Sequence, residues 1–515
     1  MRAHQWRPLP VIGVGVALAA LLYLGGVTWT GGVQGFPLDD AWIHQTYARN
    51  LAFDGQWSYV PGRASTGSTS PLWTLALTPA YILGINHLLW TLSLGAAMLA
   101  LVAWMSIRLL RRLFVVPREM ELAVAAFCVL EWHLVWAAFS GMETLLYAAL
   151  VLVCLDRYLA FEAAEREAAW EKVTWLSGLW MGLCSGLLVL TRPEGLLLLA
   201  LLAVWFVARR WRFGLRRETV FWALAAAVGC LAFVLPYAVF NLRTAGFLFP
   251  TTFYAKQAEY HSMIESLSLP LRFAELLQAV WAGPQVLLVP GFLFSVGYSL
   301  KHRRFDVILL WVWWVCSVTL YAIRLPMAYQ HGRYLIPTVP VFVILGVWGT
   351  WSLMRLAVTR ASTRIVSRAW TVALAVVLVM FWIVGARAYA QDIRFIYGEM
   401  GAMAEWLAEN TSPQSRLAVH DIGLVGYYLK RPFIDLAGLV TPEVIPFIDD
   451  EKRLLAFMET EGVDYVVVFP DWSDPYRRLV QDPRLSQVHD TGYSWTTAQG
   501  RRNLSAYAAN WSLTR

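Results

Sequence analysis

Apolar residues in this chain come in long unbroken runs rather than in the half-buried alternation of a soluble fold. Stretches near 9–28, 88–107, 120–138, 144–160, 174–190, 195–208, 219–240, 280–299, 306–322, 334–356 and 370–388 approach the ~20 residues that a helix needs to cross a bilayer core. Eleven crossings are predicted, with thirteen as the alternative. The run at 71–84 is apolar but short, and is expected to be either one more crossing or a helix lying against the membrane face. Residues 9–28 follow Arg2 and Arg7 as in a signal peptide. Without a small-x-small cleavage site, and longer than a typical signal core, they are read as a retained first helix.

Past residue 388 the pattern changes and charge and turn residues return. Helices at 400–410 and 452–461 and strands at 416–420, 432–436 and 463–469 predict a small α/β domain. The expected division is therefore a transmembrane domain over 1–388, with a first exported loop at 29–70, and an extracytoplasmic α/β domain over 389–515. That loop reads GGVQGFPLDDAWIHQTYARNLAFDGQWSYVPGRASTGSTSPLW. Ile43, Tyr47 and Leu51 fall at helical spacing, Trp42 and Tyr47 are aromatics of the interface-seeking kind, and Gly55 marks an end. A juxtamembrane amphipathic helix is expected, with Asp39 and Asp40 at its start.

Composition supports the membrane reading. Of 515 residues, 58% are hydrophobic and 15% charged, against roughly 25% charged in soluble domains, which excludes a single soluble globule. The net charge of +7 sits in short clusters between apolar runs, where membrane topology accounts for it and nucleic-acid binding does not. With eleven crossings, alternate loops starting at the N-terminus carry 21 Lys and Arg and the opposite loops carry 8. The positive-inside rule then places the N-terminus in the cytoplasm and the tail outside the plasma or inner membrane. Cys128, Cys154, Cys184, Cys230 and Cys316 all lie in apolar runs without metal-ligand spacing.

Ionisable residues recur at the loops on the exported side: Asp39 and Asp40, Glu143 in SGMET, Arg192 and Glu194 in TRPEG, Arg243, Lys256 in FYAK, Arg324, and His331 and Arg333 in HGRY. Singly, each reads as a snorkelling end-charge or an interhelical ion pair, and one Asp at a helix start reads as a cap. Two adjacent carboxylates exceed what one cap requires. Consecutive side chains on a helix diverge by about 100°, so one can cap while the other faces a cleft. Carboxylates and cations together suit a lipid-borne anion meeting a polar acceptor. Glu131 and His133 lie inside a span and read as an interhelical hydrogen bond or as the lower wall of that cleft. No HExxH, GxSxG, Walker A or GxGxxG motif is present.

PLDDAWIHQTYARNL, GSTSPLW, SGMET, LTRPEGLLL, FPTTFYAK, GRYLIPTVP and VHDIGLVGYYLKRPFIDLAGLVTPE together resemble the polyprenyl-phosphate-dependent glycosyltransferases of the GT-C fold. The similarity is to the bacterial branch with the mycobacterial arabinofuranosyltransferases, and more distantly to protein mannosyltransferases and the aminoarabinose transferase. The resemblance implies a GT-C-like polytopic α-helical membrane protein acting at the outer membrane face. Its expected donor is a polyprenyl-phosphate-linked sugar and its acceptor a glycan, lipid or protein. Asp39 and Asp40 match the family's acidic pair, one of them the general base. Arg192, Arg243, Lys256 and Arg333 are candidates for the donor phosphate, with Glu143, Glu194, Tyr254 and His331 in support. Any divalent cation, Mg or Mn, would fall to Asp39 and Asp40. The competing readings are a lipid-linked sugar transporter or flippase, which predicts ionisable groups through the depth of several spans, and a non-catalytic membrane scaffold.

Overall fold

A computed structural model describes residues 8–29, 32–211, 214, 216–357 and 361–514. Arg2, Arg7, Arg212 and Arg360 of the basic loops lie outside the described residues. Two compact units divide the chain: one of Met1–Gly26, Leu92–Tyr237 and Leu267–Ala388, the other of Val27–Thr91, Ala238–Ser266 and Tyr389–Arg515. The tail thus shares a compact unit with residues of the first loop and with a segment near residue 250.

Each of the eleven expected apolar stretches holds a helix. Among the described residues seven helices are long and apolar enough to cross a bilayer. Two bent pairs raise that to nine: Arg118–Leu130 with Trp132–Phe139, bent by 50°, and Leu269–Trp281 with Pro284–Lys301, bent by 101°. Trp175–Thr191 and Gly195–Arg210 are shorter, at 17 and 16 residues. The 71–84 run forms the 12-residue helix Pro71–Ile82. At 1.5 Å per residue it reaches about 18 Å, well short of a ~30 Å core, so it does not cross.

The first bend is built by Glu131. Its backbone leaves the helical region (φ −66°, ψ 118°) while its carboxylate caps the following helix through the amides of His133 at 3.1 Å and Leu134 at 2.9 Å. His133 Nδ1 lies 2.7 Å and Gln285 Nε2 2.5 Å from the same oxygen. His133 Nε2 lies 2.9 Å from the Ala279 carbonyl. The expected interhelical hydrogen bond is therefore a network in which a buried acid meets several donors.

Close helix contact in this first unit relies on small residues. Gly178 and Gly182, four apart on one helix face, lie against a neighbouring helix so closely that an added Cβ would stand 2.2 Å from the Trp222 carbonyl oxygen and 2.1 Å from that of Ala226. Lipid tails are as apolar as leucine, so helices here gain by van der Waals approach, and glycine permits it.

The second unit holds a hairpin, β1 (Ser58–Val60) with β2 (Arg63–Ala64), and a five-stranded sheet of β3 (Leu417–Val419), β4 (Phe433–Asp435), β5 (Tyr465–Val468), β6 (Leu485–Asp490) and β7 (Ser505–Ala509) in the order β4-β3-β5-β7-β6. The β4-β3-β5 part is parallel and β5-β7-β6 antiparallel. Val466, Val467 and Val468 are all buried, because both faces of a central strand are covered. Helix Asp40–Asp54 ends at Gly55, whose φ of 64° suits glycine. Its burial exceeds that of an amphipathic surface helix: Trp42 is 1% and Tyr47 0% exposed, and His44, Gln45, Thr46 and Asn50 are buried as well. Their polar groups are answered within the unit, as Gln45 is by Thr91 and Tyr81.

A Gly182→Leu variant should lose the close helix contact and misassemble. Its thermal unfolding in detergent is expected to shift down by many degrees or vanish; a midpoint equal to that of the parent would contradict the packing account.

Candidate active site

Asp39 and Asp40 open the buried helix Asp40–Asp54, and the structure gives them different partners. Asp39 occupies the cap position but makes no side-chain bond to its own helix. Its carboxylate reaches instead to the tail, accepting the amides of Gly423 at 2.7 Å and Leu424 at 2.8 Å. These are two of the donors that the start of helix Gly423–Leu429 leaves without intrahelical partners. The approach is close enough to require glycine: a Cβ on Gly423 would stand 2.0 Å from the Asp39 carbonyl oxygen. The hydroxyl of Tyr59 donates to the Ile422 carbonyl at 2.6 Å, fixing the same turn.

Burial, then the neighbouring carboxylates of Asp421 and Asp40, push the Asp39 carboxyl up to about 7 against the opposing pull of the two amides. Asp40 turns the other way and pairs with Lys256 at 3.1 Å, the two being about a fifth exposed. Both line a small cleft with His44, Thr69, Thr252 and Leu439. Its free space of about 10 Å³ holds about one water.

Beside them lies a second acidic group. His420 Nδ1 stands 3.0 Å from Asp421, and Nε2 stands 3.4 Å from Glu259, which also accepts the Trp472 indole at 3.0 Å. Burial pulls the imidazole pKa down, but the two carboxylates outweigh it and raise it well above the ordinary value. Asp435 in β4 accepts the amides of Ala437 at 2.9 Å and Val440 at 2.7 Å. Burial pushes its carboxyl up to about 7. Asp421 is thus a neighbour of the acidic pair, with His420 against it. Glu259 and Tyr59 were missed. Glu259 follows Lys256 by three residues on helix Thr251–Glu259, a spacing that puts both on one face, so a signal existed. For Tyr59 the sequence held none.

The other predicted residues have partners of their own within each unit. In the first unit Arg192 Nε bonds Glu143 at 2.6 Å, both almost fully buried, and its guanidinium lies 5.6 Å from the Tyr334 ring. Arg333 lies 5.0 Å from the same ring and donates to the Tyr334 hydroxyl at 3.1 Å. Glu194 lines a narrow pocket with Tyr147, Tyr321 and Tyr334. The structure therefore gathers Arg192, Glu143, Glu194 and Arg333 around Tyr334. His331, at a left-handed φ of 58°, has its ring 5.1 Å from Trp132 and 5.0 Å from Trp136. In the second unit Tyr254 stacks on Phe247 at 4.5 Å, and Arg243 is exposed at the end of helix Arg217–Ala245.

No group of three or more His, Cys, Asp or Glu among the described residues could hold a metal ion. Asp39 and Asp40 do not present a shared set of oxygens to a cation, since one serves two amides and the other an ammonium group. The residues present do not fit the Mg or Mn site that the resemblance left open.

Among solved structures the chain is similar to ArnT from Cupriavidus metallidurans, at 17% identity over the whole of both chains with a TM-score of 0.56. It is also similar to the oligosaccharyltransferase of Archaeoglobus fulgidus, at 14% identity over 90% of this chain and 70% of that one with a TM-score of 0.60. The arabinofuranosyltransferase AftD from Mycobacteria matches 97% of this chain at 17% identity and a TM-score of 0.50, the match covering 40% of the longer protein. All three have the GT-C fold. This chain is a GT-C-fold membrane protein. A family model described as a domain of unknown function, DUF8728, matches residues 379–514. No curated protein matches the chain.

The raised groups of the second unit set a pH dependence. Asp39 and Asp435 have folded values above those of an unfolded chain, so the stability tied to their protonated forms is complete below about pH 4 and is lost as pH rises through about 7. His420, raised in the same sense, also loses its contribution as pH rises. The thermal midpoint should therefore be higher near pH 5 than near pH 8, and Asp435→Asn should flatten the difference. A midpoint that rises from pH 5 to pH 8 would contradict these assignments.

Proposed function

We propose that this protein is a glycosyltransferase that moves a sugar from a polyprenyl-phosphate donor to a hydroxyl of a glycan, lipid or protein at the outer face of the cell membrane. The observation that carries the reading is the division of labour between adjacent acids: Asp39 oriented by two amides with its pKa near neutrality, and Asp40 paired with Lys256 beside a cleft. The fold adds support, since ArnT from C. metallidurans has been crystallised bound to undecaprenyl phosphate and the A. fulgidus oligosaccharyltransferase has been solved with a dolichol-phosphate. The excess of Lys and Arg on alternate loops supports the outward orientation.

In this reading Asp39 is the general base. A base works best when its pKa lies near the working pH, and a carboxylate held by two amides keeps lone pairs for the acceptor proton. The acceptor O–H donates to Asp39 as its oxygen bonds to the anomeric carbon. The bond from that carbon to the phosphate oxygen breaks, and its electron pair leaves with the polyprenyl phosphate. Lys256 neutralises the leaving phosphate. Asp40 positions Lys256 until the donor phosphate takes its place, which also opens a cleft otherwise too small for a sugar. A single displacement of this kind inverts the anomeric centre.

Arg192 and Arg333, the other expected phosphate ligands, belong to the first unit, where Arg192 is already neutralised by Glu143 at 2.6 Å. Lys256 is the cation that lines the same cleft as Asp40. The transporter reading calls for ionisable groups along the depth of the spans. Glu131 and His133 instead take part in a network with Gln285.

With purified full-length protein and a panel of polyprenyl-phosphate pentoses and hexoses, Asp39→Asn should lower kcat at least a hundredfold, the lower end of what a general base supplies. Asp40→Asn and Lys256→Met should act mainly on the donor KM. Full activity in Asp39→Asn would sink the assignment.

A further inference from the structure

The second unit contains another pocket, of about 220 Å³, that the proposed chemistry does not use. Its walls combine aromatic faces and cations. Phe53, Tyr59 and Phe433 supply the aromatic surface, and Arg49, Lys430 and Arg431 the positive charge. Asp54 is the single acid of the lining, so the pocket carries a net charge of about +2.

Two of the cations are held in place. Arg49 donates to the Tyr427 carbonyl at 2.7 Å and lies 4.7 Å from the centre of the Tyr427 ring. Arg431 donates from Nη1 to the Ser412 carbonyl and from Nη2 to the Thr411 hydroxyl, both at 2.6 Å. Its Nε is buried and has no hydrogen-bond partner among the described residues, a donor that native structures rarely leave unanswered. Lys430 is exposed and sits at a left-handed φ of 52° just past helix Gly423–Leu429. The floor is close-packed at Gly426, where a Cβ would stand 2.1 Å from the Tyr59 hydroxyl.

Fixed guanidinium groups recognise carboxylate and phosphate oxygens by paired hydrogen bonds. Aromatic side chains offer the flat apolar surface on which the C–H face of a sugar ring rests. The volume lies below the ~300 Å³ at which sites for drug-sized ligands begin and suits one sugar ring. A link to the acidic pair runs through Tyr59, which lines this pocket and bonds Ile422, the residue before the two amides that Asp39 accepts.

We propose that this pocket is an acceptor subsite that binds a saccharide carrying an anionic group, a sugar phosphate or a uronic acid, with its ring on Phe53 and Phe433 and its anion on Lys430 and Arg431. The assignment rests on the transferase reading for its purpose but not for its test.

The test is calorimetric titration of the full-length protein in nanodiscs with glucose 6-phosphate, glucuronate, glucose and inorganic phosphate. Glucose 6-phosphate or glucuronate should bind at least about tenfold more tightly than glucose or inorganic phosphate, and which of the two binds identifies the anion. Lys430→Gln and Phe53→Ala, both at exposed positions, should each weaken that binding about tenfold or more at an unchanged thermal midpoint. Inorganic phosphate binding as well as the sugar phosphate would mean a bare anion site and overturn the proposal, as would equal binding by all four probes, binding by none, or variants that bind like the parent. Because binding is read without turnover, its failure leaves the transferase reading standing, and loss of that reading in the Asp39 assay leaves the binding result intact.

Discussion

A carboxylate from residue 39 satisfies two backbone amides at residues 423 and 424, and the arrangement of the second unit depends on that contact. The start of helix Gly423–Leu429 carries N–H groups that no intrahelical carbonyl can reach, and leaving such groups buried and unmet costs about 1 to 3 kcal/mol each. A first-loop acid meets them across more than 380 positions of sequence. Gly423 is needed for the approach, and Tyr59 braces the same turn from the other side. The tail is thus fastened to the loop at the atoms proposed to do chemistry.

Fastening and reactivity are coupled through electrostatics. Withdrawn from water and set near Asp421 and Asp40, the Asp39 carboxyl keeps its proton to about pH 7. The amides hold it below what burial alone would produce. The adjacent acid meets a different partner, the ammonium group of Lys256 at 3.1 Å. Two like residues in consecutive positions therefore differ in their partners because they face different surroundings, and the rotation of about 100° per helical residue is enough to separate them.

Much of this architecture is legible in the chain. Runs of apolar residues mark the helices because a bilayer offers the backbone no other way to satisfy its polar groups. The tail's β3, β4 and β5 announce themselves as apolar stretches between turns. β6 and β7 do not: the burial of Leu485–Asp490 is mostly exposed, and Ser505–Ala509 is small and weakly apolar, so their pairing is tertiary information. Helix Asp40–Asp54 was identifiable by spacing, yet its burial was not, because His44, Gln45 and Asn50 look like solvent residues until their partners are known. The doublet Asp39 and Asp40 was visible as an excess of charge. Which of them would cap a helix, and that the helix would belong to the tail, depends on distant contacts that no local pattern encodes. For Arg192 the sequence left two readings open, an interhelical ion pair and a phosphate ligand, and its bond to Glu143 is the first of these.

Hydrogen exchange at the amides of Gly423–Leu429, compared between the parent protein and Asp39→Ala in nanodiscs, tests the central contact most directly. Loss of the carboxylate should speed exchange at Gly423 and Leu424 and loosen the helix that follows, while strands β6 and β7 keep their protection. Unchanged exchange at those two amides would contradict the account.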